Sequence, residues 1–158
     1  MMKDNNYGWL WKPFSGNVTN MTNYAKSAIK EIVARYGTAD PFIIAEKLNV
    51  DYYFMPLGNH PLGDTSYDNH EPIIILNESI HDSPQRYFTL AHEIGHVVMH
   101  ADLNGYHSGY ASYGVCEYQA NQFATGLMGL LYVEENGYGP DSYYDLVHHY
   151  GSPVNELD

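Results

Sequence analysis

His92-Glu93-Ile94-Gly95-His96 sets two imidazoles four residues apart, with a carboxylate directly after the first. In a helix, residues four apart lie one above the other, so both rings can meet a single cation. Glu93, one position on, stands close enough to hold a water at that cation without being a ligand. Zinc hydrolases divide the work this way: two histidines bind the metal and the glutamate takes the proton of the water. With nine His and nine Glu in 158 residues, chance alone gives about 0.03 copies of this HExxH pattern.

A catalytic zinc needs a third protein ligand and one open position. His100 continues the four-residue spacing, but it lies about 12 Å of helix rise beyond His92, too far for all three to share one ion. It reads instead as a C-terminal helix residue that is favourable against the dipole. Glu117, on the following predicted helix, is the better third ligand. Asn121, four residues on, is placed to hydrogen-bond a ligand imidazole. Cys116 sits about 100° round the helix from Glu117 and reads as a small packed thiol. For the oxyanion, the intervening loop offers Tyr106, His107, Tyr110 and Tyr113, with His148 and His149 later in the chain.

The elements that must carry these residues follow from period and punctuation. Ala25, Ala28, Ile29, Ile32, Val33 and Tyr36 form one helical stripe closed by Gly37. Asp40-Pro41 caps a short helix to about Leu48, and Val50 to Met55 reads as a strand. Pro56 to Glu71 reads as loop, and Ile73 to Leu76 as a second strand. That second strand is either buried and structural or an edge beside the metal helix that pairs with substrate backbone. Ser83-Pro84 opens the HExxH helix, which runs to about His100, and a further helix spans about Gly114 to Leu131. Asp141 or Ser142 caps a helix to Tyr150, and Ser152-Pro153 begins a last one. The expected fold is α+β: helix-rich, with a small β-sheet beside the HExxH helix. It divides into an N-terminal arm, residues 1–20, and a single domain over 21–158.

The run Arg86-Tyr-Phe-Thr-Leu-Ala-His-Glu-Ile-Gly-His-Val-Val-Met-His100, followed by Glu117-Tyr-Gln-Ala-Asn-Gln-Phe-Ala124, resembles the ImmA/IrrE family of metallopeptidases. Asp40 to Leu48, the strand after it, the Gly63 loop and Ile73 to Asn77 are similar in order and spacing, so the resemblance covers roughly Tyr24 to Tyr150. It implies a zincin-like domain with His92, His96 and Glu117 as zinc ligands and Glu93 as base. Manganese is the alternative metal. It also implies a substrate class: helix-turn-helix transcriptional repressors, cut once to release a prophage, mobile-element or stress programme. The sequence departs from the family at Thr125-Gly126-Leu127-Met128-Gly129, which lacks the usual acid and proline. Gly126 and Gly129 should loosen that helix end by about 1 kcal/mol each relative to Ala.

Charge narrows the partners. Seven basic and nineteen acidic residues give −12, and six of the bases precede residue 48, leaving −14 for the remainder and +2 for the start. Such a surface disfavours direct binding to nucleic acid or an anionic membrane and suits a cation or a basic protein. No run approaches the roughly 18 apolar residues of a membrane span, and the first 20 residues contain no apolar secretory core. The single Cys116 forbids an intramolecular disulfide, and a reducing cytoplasm is the expected compartment. The reading is a cytoplasmic zinc endopeptidase with a protein substrate. The alternatives are a non-cleaving anti-repressor that keeps its metal for structure, and a broad-specificity protease. A base at Glu93 argues against the first, and the absence of a visible pro-segment against the second.

Overall fold

The computed structural model describes residues 23–100 and 110–154. The expected arm at 1–20 lies outside the described residues. The chain runs α1 (Asn23–Tyr36), α2 (Pro41–Lys47), β1 (Asp51–Met55), β2 (Gly63–Asp68), β3 (Glu71–Asn77), a 3-10 turn (Glu78–Ile80), α3 (Gln85–His100), α4 (Tyr110–Asn136) and α5 (Tyr143–Tyr150). Among the described residues, five helices and one three-stranded sheet make the α+β, helix-rich architecture that the sequence implied. No helix among the described residues is long and apolar enough to cross a membrane.

The sheet has the order β1-β3-β2. β3 lies parallel to β1, with Tyr52 beside Ile74, and antiparallel to β2, with Thr65 beside Ile74. This corrects one expectation and decides between two others. The stretch read wholly as loop contains β2, joined to β3 through Asn69 and His70, both at positive φ (50° and 69°) as a two-residue hairpin turn requires. The apolar β3 is also not an edge. It is the central strand, paired on both sides, with Ile74 and Leu76 fully buried, and β2 is the edge nearer the metal helix.

The short-range signals for the helices act as expected. Asp40 accepts a hydrogen bond from the Phe42 amide at 2.9 Å to cap α2. α3 buries Leu90, Ala91 and Ile94 against Phe123, Ala124 and Leu127 of α4. At Gly95 the two helices approach so closely that a Cβ would lie 3.1 Å from the Phe123 ring. Glu134, near the far end of α4, accepts from the Thr38 hydroxyl (2.7 Å) and the Ala39 amide (2.9 Å), tying α4 to the turn before α2.

Two further expectations fail. α4 does not loosen at Gly126 and Gly129 but continues to Asn136. Every residue from 122 to 132 is buried, so packing against α1, α3 and α5 outweighs the intrinsic cost of two glycines. Nor does a helix begin at Ser152-Pro153: residues 151–154 are irregular and 155–158 lie outside the described residues. The backbone there closes α5 instead, the Gly151 amide donating to Val147 O at 3.0 Å with Gly151 at φ 67°.

Candidate metal centre

α3 carries His92, Glu93 and His96 on the side that faces α4 and β2, over a cleft of about 740 Å³. His92 Nε2 and His96 Nε2 stand 3.1 Å apart. Glu117, arriving from α4, closes the triangle: its Oε2 is 3.2 Å from His92 Nε2 and its Oε1 is 2.8 Å from His96 Nε2. Ligand atoms about 2.0–2.1 Å from a tetrahedral ion stand roughly 3.3 Å from one another. His92, His96 and a Glu117 oxygen could therefore hold one small divalent cation between them.

The rings are already turned for that task. His92 Nδ1 donates to Asn121 Oδ1 at 2.7 Å, so its Nε2 presents a lone pair. His96 Nδ1 is occupied in turn by His100 Nδ1 at 3.0 Å. In neutral rings those lone pairs and a carboxylate meet at one spot, which calls for a positive charge between them: imidazole protons supply it in the metal-free protein, and a bound cation would replace them. Burial alone would push the Glu117 carboxyl up, but hydrogen bonds from His92 and His96, and their charge, hold it far below the ordinary carboxylate range. Burial alone would lower the His92 imidazole, yet the Glu117 hydrogen bond and the charge of Glu93 raise it overall.

Glu93 lines the same cleft outside this triangle and is 7% exposed. Its Oε2 accepts from the Thr65 hydroxyl on β2 at 2.6 Å. Burial pushes its carboxyl up, while His92 and the Thr65 bond pull the other way. Gly63 opens β2 beside it. A Cβ there would come within 2.7 Å of Thr89 Cγ2 and 3.2 Å of Glu93 Oε1, so glycine is what lets the edge strand reach the carboxylate.

Of the oxyanion candidates, Tyr106 and His107 lie outside the described residues, as does the side chain of Tyr110. Tyr113 lines the cleft one turn before Glu117, whose charge, followed by burial, raises its phenol above the ordinary value. It therefore stays an O–H donor at neutral pH. His148 and His149 belong to α5 and do not line the cleft; His149 Nδ1 donates instead to Asp145 O at 2.8 Å. Cys116 is buried at the cleft margin, where burial and Glu117 raise its thiol. Among the described residues, the group able to hold a cation is His92, His96 and Glu117.

Sequence reasoning missed Thr65, Gly63, His100 and Gln119. Thr65 and Gly63 sat in a stretch too polar to read as a strand. His100, assigned to the helix dipole, is 2% exposed and lies between His96 and Gln119, with its Nε2 2.9 Å from Gln119 Oε1. The even spacing of His92, His96 and His100 was the available signal, and it pointed to contact rather than to shared ligation.

The peptidase M78 family model, described as the IrrE N-terminal-like domain, matches residues 45–132, more than half of the chain. Uncharacterized immunity region protein 2 of Bacillus phage phi105 is 27% identical over 79 residues, covering 50% of this chain and 49% of that protein. The radiation response metalloprotease IrrE of Deinococcus radiodurans is 35% identical over 94 residues, covering 54% of this chain and 27% of that protein. Its namesake in Deinococcus deserti is 34% identical over 83 residues, covering 49% and 28%. The chain thus spans about half or less of the length of the curated relatives it matches.

Proposed function

The chain belongs to the IrrE N-terminal-like peptidase family, and from that premise we propose that it is a zinc-dependent endopeptidase acting on one cytoplasmic protein. The substrate in this reading is a helix-turn-helix transcriptional repressor of a prophage, mobile element or stress response. The observation that carries the enzymatic part is the convergence of His92, His96 and Glu117 within 3.2 Å, with Glu93 buried beside them. A structural metal site has no use for that fourth, non-ligating carboxylate.

Bound zinc supplies Lewis acidity, which brings water within reach of deprotonation near neutral pH. The remaining work falls to side chains. Thr65 holds Glu93 Oε2, leaving Oε1 to accept the proton of the attacking water and then deliver it to the leaving amine. Tyr113, a neutral donor at the cleft, is the member of the oxyanion set that this geometry favours. The outer edge of β2, unpaired among the described residues, runs along the same cleft through Gly63, Asp64, Thr65 and Tyr67, which supports antiparallel addition of a substrate strand there rather than on β3.

The phage immunity region relative supports a repressor as substrate, and the acidic body supports a basic one. The test is to incubate the purified, zinc-loaded protein with the repressor encoded beside its gene, with and without chelator. A single cut that the chelator abolishes is expected. An intact repressor in both arms would overturn the reading.

A further inference from the structure

His96 and His92 are both oriented from α4, but by different routes. Asn121 reaches His92 directly. His96 Nδ1 meets His100, the last residue of α3, and through it Gln119 of α4. Gln119 Oε1 can only accept, so in a neutral His100 ring the nitrogen 2.9 Å away, Nε2, is the one that carries the proton. His100 Nδ1 is then an acceptor, and the 3.0 Å contact is His96 Nδ1–H donating to it. One amide oxygen thus fixes two tautomers in series and leaves the His96 lone pair on Nε2, the atom that faces His92 and Glu117. The opposite tautomer would put a proton on His96 Nε2, donating to Glu117 Oε1 at 2.8 Å, and that proton would have to leave before a cation could bind there.

The surroundings hold the relay still. His100 is buried, with the Tyr24 ring edge-on at 6.5 Å between centroids. The Tyr24 hydroxyl donates to the Met99 carbonyl, anchoring the end of α3 to α1. A histidine kept merely to complement the helix dipole would gain from solvent and would need neither partner.

We infer that His100 and Gln119 form a two-residue relay that positions His96 as a metal ligand by dictating which of its nitrogens carries the proton. They are positioning residues and do not touch the cation site. The inference rests on the three-residue site of the proposed function. It predicts that metal affinity depends on an acceptor at His100 Nδ1 and, one step removed, on the Gln119 amide.

The experiment measures zinc affinity by competition with a chromophoric chelator, together with the visible spectrum of the cobalt-substituted protein. The variants are His100→Leu, Gln119→Leu, the double variant and His100→Asn. Removal of an outer partner of a ligating histidine lowers affinity about 10–100-fold, and His100→Leu should fall in that range with an altered cobalt spectrum. Gln119→Leu should lose less. The double variant should lose no more than His100→Leu, because the two act in series. His100→Asn, whose Oδ1 can stand where Nδ1 stood, should recover most of the affinity. Thermal unfolding of the metal-free forms tests folding independently, and Gln119→Leu, at a half-buried position, keeps the test available should His100→Leu fail to fold. Unchanged affinity and spectrum in Gln119→Leu and His100→Leu would overturn the relay, as would strictly additive losses. A wild-type protein that binds no zinc would instead overturn the metal site itself.

Discussion

On its helical side the cleft is lined by α3 and α4, whose inner faces lock together through Leu90, Ile94, Phe123 and Leu127. On its sheet side it is lined by β2, a six-residue edge strand in which half-buried and exposed residues alternate. The first wall holds all three residues of the candidate cation site, and its members cannot shift without disturbing the core. The second contributes one hydroxyl, one missing side chain and a backbone edge unpaired among the described residues. The contrast teaches a division of labour: donors that must keep tenths of an ångström sit on packed helices, while the surface meeting a variable polypeptide sits on a strand with little buried behind it.

Four substitutions break or sharpen that contrast. The largest effect is expected from Glu93→Gln, which keeps shape and hydrogen bonding but removes the base. Cleavage should fall by about 10²–10⁴-fold while bound zinc and repressor binding persist. Repressor inactivation in cells that survives this change undiminished would favour the non-cleaving anti-repressor. Next comes Glu117→Ala, which should weaken zinc affinity by more than the 10–100-fold typical of an outer partner. Equal metal content in the variant and wild type, read by elemental analysis after dialysis, would remove α4 from the site.

On the sheet wall the effects should be smaller. Thr65→Val deletes the hydrogen bond to Glu93 Oε2. A bond to a charged group at the low end, ~1.5 kcal/mol, corresponds to about a tenfold loss in kcat, with zinc affinity unchanged. A loss as deep as that of Glu93→Gln would mean that the two walls act as one unit. Smallest is Asp64→Asn, on the exposed face of β2 at the cleft. It should raise KM for a basic substrate by a few-fold in low salt, an effect that vanishes as ionic strength shortens the Debye length below about 10 Å. A salt-independent change would assign the acidity of this wall to something other than substrate attraction.

The helical wall was legible from sequence because its signals are local. Ser83-Pro84 marks the start of α3, a four-residue spacing stacks His92 on His96, and the Glu117–Asn121 spacing does the same on α4. β2 was hidden because Gly-Asp-Thr-Ser-Tyr-Asp is poor in the β-branched and aromatic residues that mark strands. It pairs because β3, already buried against the helices, offers it a ladder, and its hairpin turn is Asn-His rather than the telling Asn-Gly. The His100 partner was hidden for a different reason. Gln119 is two residues from Glu117, about 200° round an ideal helix, so period alone places it away from the metal ligands. Only the relative seating of α3 and α4 brings His100 to it. The glycines of α4 misled because propensity describes an isolated helix, and residues 122–132 are surrounded on every side.

Gly95 gives the HExxH pentad a second meaning. As a ligand pattern, the pentad leaves its third and fourth positions open to any residue. In this protein the fourth is the floor on which Phe123 rests, since a Cβ there would lie 3.1–3.2 Å from three atoms of that side chain. The spacing between the histidine-bearing helix and the glutamate-bearing helix is thus set by a residue that never faces the cleft. Gly95 and position 123 form a matched pair: an alanine at one calls for a slimmer side chain at the other before Glu117 can return to the same triangle. A pentad transplanted into another helix would bring its imidazoles and its base, and would leave behind the ruler that sets their distance from the third ligand.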